Sequence, residues 1–480
     1  MLINSIGFLV FFIVVFSLYF FRLKELPKAQ NVLLFVASYV FYGIGNWRML
    51  PILIVTTILY YFFGLGISYF KKKESSKLNT LLTAIGIGLG VGILLYFKYM
   101  NFFISSFSEM FESLGLHTNL QTFHIILPLG ISFFTFRLIG YIIEVNRGNI
   151  EPTRNVITFG TYVAFFPCLL SGPIDRPGKF IPQLEKKRTF NYEMAVDGLR
   201  QILWGLFKKM VIADNLSKFI DHVWVSHQTL TGSTLLLAAI SYSILIYADF
   251  SGYSDMAIGV AKILGFEVAK NFNYPYFARS ISEFWRKWHM SLTSWLTDYI
   301  YIPLGGSRCS QARQFFNTMV VFTLCGLWHG ANWTFVLWGF YNGLLFLPLV
   351  VRKKKKNFSI SVSKGRMLPT FSDFIRMTSI FLLATFGWIF FRAESLSAAF
   401  QFVSGIFSKS LFSMPSEGRI SIVYIGLLLL IEWIHREKEY PLQFVGKIKK
   451  PFLRWIFYLL IILSIALFAG QKSSFIYTQF

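Results

Sequence analysis

The sequence is poor in charged residues, in acidic residues above all, and in cysteine. Charged residues make up 14% of the chain and hydrophobic residues 55%, whereas a soluble domain carries about 25% charged residues. The composition therefore excludes an ordinary soluble protein and predicts a polytopic membrane protein. The three cysteines, Cys168, Cys309 and Cys325, have no CxxC spacing. They predict neither a disulfide framework nor a zinc site.

The basic residues outnumber the acidic ones, 46 to 23, which gives a net charge of +23. The lysines and arginines fall in short clusters beside apolar runs rather than in a separate basic domain. We interpret them as topology signals and contacts with anionic membrane lipids, and we expect no nucleic-acid partner. The high aromatic content, 19%, is typical of a protein with many rings at the membrane interface.

Apolar segments compatible with helical crossings recur along the chain and predict an all-α polytopic membrane protein. The apolar segments are Ile3–Phe21, Asn31–Tyr42, Pro51–Phe70, Leu81–Phe97, Ile125–Ile143, Leu235–Tyr247, Phe322–Val351, Ile375–Phe391, Ile420–Trp433 and Phe452–Ala469. Basic clusters such as Arg352–Lys356 mark cytoplasmic loops by the positive-inside rule. With that assignment both termini are extracytoplasmic, which requires an even number of crossings.

One of these segments, FTLCGLWHGANWTFVLWG at Phe322–Gly339, carries an imidazole in its middle, His329. An ionisable side chain at membrane depth is costly unless it faces a wet cavity or a partner, so it indicates a functional site. The alternative is a neutral histidine bonded to a neighbouring carbonyl, in a purely structural helix contact.

A second histidine, His289, lies in the aromatic and charged segment Ala278–Gly306. On a helix the spacing of this segment places three tryptophans on one face and a charged group on another. These residues are Trp285, Trp288 and Trp295, and Arg279, Glu283 and Arg286. An amphipathic helix at the membrane interface explains the pattern without chemistry, but it does not explain why His289 accompanies His329.

The segment DFSGYSDMAIG, at Asp249–Gly259, sets two carboxylates beside Ser251 and Tyr253. No further histidine or glutamate at helical spacing joins Asp249 and Asp255, so we predict no metal site. We expect these residues to cap a helix and to form hydrogen bonds that hold a cavity wall, with a catalytic acid as the alternative.

The segment Phe159–Pro182 is apolar but interrupted by proline and glycine, and it ends in SGPIDRP. Irregular backbone at membrane depth is tolerated only inside protein or along a cavity. We therefore predict a re-entrant segment, with an ordinary loop at a helix end as the alternative. The stretch flanked by Glu185–Arg188 and Lys208–Lys209 is predicted to lie at the cytoplasmic interface.

Taken together, FWRKWHMSLTSWLTDYIYIPLGG and GLWHGANWTFVLWG resemble the membrane-bound O-acyltransferase family. The resemblance is to the bacterial branch that O-acetylates extracellular polysaccharides such as alginate or peptidoglycan. SGPIDRP, DFSGYSDMAIG and NFNYPYFARSISEFW resemble the same branch, so the ordered blocks span nearly the whole chain.

The resemblance implies one membrane domain over residues 1–480, with N-terminal helices at 1–122, a catalytic core at 123–351 and C-terminal helices at 370–480. Its expected architecture is a ring of tilted helices around a thin core with re-entrant and interfacial helices. Two opposed funnels joined by a tunnel then meet at the histidine. The implied location is the bacterial inner membrane.

The resemblance also implies roles for individual residues, with His329 as the catalytic histidine and His289 as its partner. Acyl transfer to a hydroxyl needs a base and a stabiliser of the tetrahedral oxyanion, and a histidine with an ordinary pKa near 6.5 serves as the base. The expected supporting or donor-binding residues are Arg279, Arg286, Trp288, Trp328, Asn332, Trp333, Asp249, Ser251 and Tyr253.

We expect no bound cofactor, and acetyl-CoA or another acyl thioester as the donor substrate. The expected partners are membrane lipids, the donor and an extracellular polysaccharide, reached through a separate extracytoplasmic transferase that the resemblance implies. Two alternatives stay open: an acyltransferase with a lipid or protein acceptor, and a secondary transporter that uses intramembrane histidine and aspartate.

Overall fold

A computed structural model describes residues 3–116, 121–352, 362–471, 473 and 475. Its α-helices are α1 Ile6–Ser17, α2 Pro27–Asn46, α3 Leu50–Lys72, α4 Ser76–Leu94, α5 Met100–Ser113, α6 Ile131–Arg147, α7 Val156–Ala164, α8 Pro177–Glu185, α9 Tyr192–Phe207, α10 Asp214–Ser226, α11 Gly232–Ile263, α12 Ile281–Lys287, α13 Met290–Leu296, α14 Gln311–His329, α15 Trp333–Leu344, α16 Leu347–Arg352, α17 Phe371–Arg392, α18 Leu396–Ile406, α19 Ser421–Ile434 and α20 Pro451–Phe468. Short π-helical turns occupy Leu18–Arg22, Leu95–Tyr99, Lys208–Ala213 and Thr297–Tyr301. Short 3-10 turns occupy Trp47–Met49, Pro275–Phe277, Lys409–Phe412 and Pro441–Lys447. These described ranges contain no β-strand.

Within the described part of the chain, 6 helical segments are long and apolar enough to cross a membrane. They are Pro27–Lys72, Lys77–Ser113, Gly232–Ile263, Trp333–Val351, Phe371–Arg392 and Pro451–Phe468. The prediction of an all-α polytopic membrane protein is confirmed. The basic cluster predicted at Arg352–Lys356 falls, after its first residue, outside the described residues.

The chain divides into two compact units. The first comprises Met1–Ala195 with Val260–Ala269, and the second comprises Val196–Gly259 with Lys270–Phe480. The boundaries expected from the sequence, at residues 122 and 351, stay a prediction.

In the first unit, a buried arginine on α6 holds the segment predicted to be re-entrant. α7 is only 9 residues long, too short for a crossing, and irregular buried backbone leads from it to α8. The Arg137 guanidinium donates to the carbonyls of Tyr162, Val163, Cys168 and Pro173, at 3.4, 3.2, 3.3 and 3.0 Å. These bonds provide hydrogen-bond donors to four backbone carbonyls of the segment. The expected departure from a clean crossing is therefore present.

The span predicted at Ile125–Ile143 begins too early, because α6 starts only at Ile131. Pro128 interrupts the apolar run, and Gly130 adopts a left-handed conformation with φ 69°. A Cβ at Gly130 would lie 2.7 Å from the carbonyl oxygen of Leu169. Only glycine tolerates both that φ and that close approach.

In the second unit, α14 and α15 form a hairpin whose backbones touch. A Cβ on Gly326 would lie 2.2 Å from the carbonyl oxygen of Phe335, and one on Gly339 would lie 2.3 Å from that of Phe322. Small residues at both contact points permit this approach between helices. His329 is the last residue of α14, so the hairpin places it at the turn.

The longest helix of the second unit is α11, with 32 residues. DFSGYSDMAIG lies inside it, so the prediction that Asp249 and its neighbours cap a helix is wrong. The helix continues through these polar residues. Their side chains have partners inside the protein, such as Lys209 for Asp249. Of the most apolar 18-residue window of α11, 89% is buried inside the protein.

The helix predicted over Ala278–Gly306 is broken into two short helices, α12 and α13, at Trp288 and His289. The interpretation as an amphipathic interfacial helix is also wrong, because Trp285, Trp288 and Trp295 are all buried together with Glu283. The periodicity of the sequence could not reveal this break, because the tryptophan spacing is the same whether or not His289 leaves the helical conformation.

Candidate active site

His329 lies at the C-terminal end of α14 and is buried, with 3% of its surface exposed. Three rings surround its imidazole, with centroid separations of 4.8 Å to Trp328, 5.1 Å to Trp338 and 5.0 Å to Phe391. α14, α15 and α17 each contribute one of these rings. The aromatic enclosure keeps bulk water from the imidazole.

His289 lies at the junction of α12 and α13 and is 1% exposed. Its backbone is left-handed, with φ 41° and ψ 54°. This conformation is uncommon for a residue with a side chain and costs about 1–3 kcal/mol, so it persists where the surroundings impose it. The ring packs edge-on against Phe250 of α11, with centroids 4.7 Å apart.

Trp328 connects the two histidines. Its indole lies 4.8 Å from the His329 ring and 5.7 Å from the His289 ring, nearly perpendicular to both. The two histidines, 40 positions apart in the sequence, therefore meet in one aromatic cluster.

Burial lowers the pKa of His289 to about 3. The imidazole is consequently neutral at physiological pH, with one N–H donor and one acceptor nitrogen. A neutral ring is suited to donating a hydrogen bond to a developing oxyanion and not to supplying a positive charge.

Asp249 forms a buried ion pair instead of a helix cap. Its carboxylate lies 2.8 Å from the ammonium of Lys209, which also lies 2.8 Å from the carboxylate of Asp214. Ser473, near the C-terminus, donates to Asp214 at 2.6 Å. Burial works to lower the pKa of Lys209, but the Asp249 and Asp214 carboxylates outweigh it and hold that pKa above its ordinary value.

The adjacent lysine, Lys208, forms a second ion pair. Lys208 is 2.6 Å from the carboxylate of Asp255 and donates to the hydroxyl of Ser251 at 2.7 Å. The Tyr253 ring lies 4.9 Å from the ring of Phe475. Asp249, Ser251 and Tyr253 thus belong to the packing and ionic contacts of α11, next to the Phe250 that contacts His289.

The basic side chains expected to attract the donor separate in the structure. Arg279 is bound to Glu283 through Nη2 at 3.1 Å, and Lys287 reaches the same carboxylate at 2.9 Å. Burial works to raise the pKa of Glu283, but bonds from Arg279 and Lys287 hold it below its ordinary value. Arg286, in contrast, is exposed.

Two further expected residues, Asn332 and Trp333, lie at the start of α15. The Asn332 side chain caps α15 by accepting from the Thr334 amide at 2.9 Å, and it donates to the Glu394 carbonyl at 2.9 Å. Trp333 is 51% exposed. Trp288 is fully buried and packs on Trp388, with ring centroids 4.8 Å apart.

Comparison with known proteins identifies the family of the chain. The profile described as "MBOAT, membrane-bound O-acyltransferase family" matches residues 150–354. A probable alginate O-acetylase of Azotobacter vinelandii is 37% identical over 405 residues, which cover 84% of this chain and 78% of the relative. The corresponding protein of Pseudomonas aeruginosa is 36% identical, over 90% of this chain and 80% of its own length. A peptidoglycan O-acetyltransferase of Helicobacter pylori is 32% identical, over 79% and 74%.

The chain belongs to the membrane-bound O-acyltransferase family. It is therefore a multi-pass membrane O-acyltransferase that uses an acyl donor. Both histidines, and the hairpin that presents His329, lie within the matched range. The family resemblance read from the sequence is confirmed.

Sequence reasoning missed several residues that lie in or beside this candidate site. Lys208 and Lys209 were assigned to an interfacial stretch but are buried, 2% and 4% exposed. Phe250 and Phe391 contact the histidines, but nothing distinguished them among 55 phenylalanines. For the lysines a signal existed, since two adjacent lysines next to an apolar helix, together with two aspartates in the apolar sequence of α11, indicate buried pairing.

Proposed function

We propose that this O-acyltransferase takes an acetyl group from acetyl-CoA at the cytoplasmic face of the bacterial inner membrane and delivers it to an extracytoplasmic hydroxyl. The acceptor is a polysaccharide, reached directly or through a separate extracytoplasmic transferase. Support comes from the relatives, which are named for O-acetylation of alginate and peptidoglycan. The positive-inside distribution of lysine and arginine supports extracytoplasmic termini.

The observation that carries the proposal is the cluster of His329, Trp328 and His289. Two buried imidazoles contact the same indole and form a polar group within an otherwise aromatic environment. Ionisable residues in such surroundings are costly and mark functional sites. A merely structural histidine would need neither the enclosure nor the second imidazole.

In the proposed reaction His329 is the general base. Its imidazole takes the proton of the acceptor hydroxyl while the oxygen attacks the thioester carbonyl carbon, and a C–O bond forms. The C–S bond then breaks, and the leaving thiolate takes the proton back from His329. Neutral His289 donates to the tetrahedral oxyanion. The surrounding rings exclude water, which would otherwise hydrolyse the donor.

On the donor side, the basic residues of the expected set differ in exposure and pairing. Arg286 is the exposed cation of the expected set, while Arg279 and Lys287 share the carboxylate of Glu283. We therefore assign Arg286 to attraction of the anionic donor and Arg279 to the local fold. Trp333 and Asn332 are assigned to the α15 terminus rather than to chemistry.

The test is acetyl transfer from radiolabelled acetyl-CoA by the purified protein in lipid nanodiscs, with a soluble oligosaccharide as acceptor. His329→Ala should lose at least about 100-fold in turnover, the lower range for a positioned general base, with donor binding kept. His435→Ala is the matched control, because that histidine bonds a helical carbonyl of its own helix at 2.8 Å. It should keep wild-type turnover.

Two results would contradict the proposal in different places. Full turnover by His329→Ala removes this histidine from the chemistry. Absence of turnover with acetyl-CoA in the wild type, but turnover with another acyl thioester, replaces the donor and leaves the histidine assignments standing.

A further inference from the structure

We infer that Asn271 is the positioning residue that holds His289 in its active orientation, a role that rests on the proposed function of His289. Asn271 is fully buried and precedes α12 in the chain by ten residues. Its main chain and its side chain both reach the turn that carries His289.

The main-chain contacts flank the histidine on both sides. The Asn273 amide donates to the Lys287 carbonyl at 3.0 Å, before the break between α12 and α13. The Met290 amide donates to the Asn271 carbonyl at 2.8 Å, after it. The Trp288–His289 dipeptide lies between these two bonds, so the segment 271–273 imposes the left-handed conformation of His289.

The side-chain contacts fix this turn to the helix that forms the other side of the His289 pocket. The Asn271 carboxamide donates through Nδ2 to the hydroxyl of Ser254 in α11 at 2.9 Å. Its Oδ1 accepts from the hydroxyl of Ser291 in α13 at 2.6 Å. The same α11 supplies Phe250, whose ring packs on the imidazole of His289. Asn271 therefore sets the distance between the imidazole and its aromatic neighbour.

Only an amide of this length serves both neighbours. Aspartate accepts from Ser291 but cannot donate to Ser254 when ionised, and it buries a charge. Alanine loses both bonds and leaves two buried hydroxyls without this partner. Each of these changes leaves the backbone bond from Met290 in place, so the turn persists while its attachment to α11 is lost.

The experiment measures kcat and the donor KM in nanodiscs for Asn271→Ala, His289→Ala and the double variant. Asn271→Ala should lower kcat at least tenfold with the donor KM changed less than twofold. In the His289→Ala background the same substitution should change kcat less than twofold, because it acts only through the imidazole. A general loss of folding would instead lower both backgrounds equally.

Ser254→Ala removes the hydrogen bond between Asn271 and Ser254 by deleting the hydroxyl instead of the amide. This variant keeps the inference testable if Asn271→Ala does not fold. It should lower kcat about threefold to tenfold, and it should likewise have little effect once His289 is gone. Asn317→Ala is the matched control, since that buried amide donates to the carbonyls of Leu304 and Gly306 away from both histidines. Its kcat should stay within threefold of the wild type.

The outcomes separate the inference from the function it rests on. If His289→Ala keeps full kcat in an active enzyme, the proposed role of His289 fails and the inference fails with it. If His289→Ala loses turnover but the Asn271 substitution multiplies that loss, or has no effect in the wild type, the positioning role alone is overturned.

Discussion

Trp328 packs edge-on against His289, with ring centroids 5.7 Å apart and an interplanar angle of 69°. The same indole also contacts His329, which precedes the hairpin turn, with ring centroids 4.8 Å apart. Trp328 therefore contacts both the proposed base and the proposed oxyanion donor. A buried indole that covers both imidazoles would help to exclude water from them.

Replacement of Trp328 by phenylalanine should therefore weaken the exclusion of water from the acyl donor. The smaller ring keeps an aromatic contact but opens space for water, so donor hydrolysis should rise relative to acetyl transfer. We expect transfer to fall about tenfold, equivalent to about 1.4 kcal/mol of barrier. The measurement is the ratio of free acetate to acetylated acceptor. An unchanged ratio would show that the indole does not exclude water.

The second prediction concerns pH. Since burial lowers the pKa of His289 to about 3, this imidazole does not titrate between pH 5 and 9. His289→Gln, which retains an N–H donor, should keep more activity than His289→Ala at every pH in that range. The profile of log kcat/KM should have the same shape in wild type and both variants. Loss of an acidic limb in either variant would contradict a neutral His289.

The sequence singled out the two histidines but did not predict the conformation of the chain around them. His329 and His289 stand out because ionisable groups are rare in apolar sequence, and that signal depends on composition alone. The left-handed turn at His289 could not be predicted, because its cause is the distant segment 271–273 rather than local propensity. Tertiary contacts of this kind produce no periodic pattern in the sequence.

The acidic motif of α11 was misjudged for a related reason. Asp249 and Asp255 have the character of cap residues when neighbouring chain alone is considered. Their partners, Lys209 and Lys208, come from another part of the chain and are buried with them. A sequence read in order assigns such lysines to the membrane surface, since pairing across a fold is visible only once the fold is known.

The third prediction follows from that pairing. Lys209→Met leaves Asp214 and Asp249 buried without their cation and should destabilise the protein by about 3–5 kcal/mol. Adding Asp214→Asn and Asp249→Asn should recover part of the loss. Thermal unfolding in detergent gives the measurement. Equal stability of the single and triple variants would show that the lysine does not balance these carboxylates.

The pH dependence of the same pair has a defined sign. The folded pKa of Lys209 is raised, so the stabilisation is fully present below the unfolded value of about 10.4 and is lost only as the pH rises through the folded one. The thermal midpoint difference between wild type and Lys209→Met should be constant from pH 6 to 9. Lys187→Met, which removes a solvent-exposed pair with Glu25, is the control and should leave the midpoint unchanged.

The last prediction tests the backbone contact that places His329. A methyl group on Gly326 would lie 2.2 Å from the Phe335 carbonyl oxygen, so Gly326→Ala must separate α14 from α15 and cost about 1–3 kcal/mol. Gly88→Ala is the control, because a Cβ there meets no atom within 4 Å. Gly326→Ala should lower both the thermal midpoint and kcat, since the hairpin positions the proposed base, whereas Gly88→Ala should keep kcat and should not lower the midpoint. If Gly326→Ala lost stability but kept full kcat, the hairpin would hold the fold without setting the position of His329.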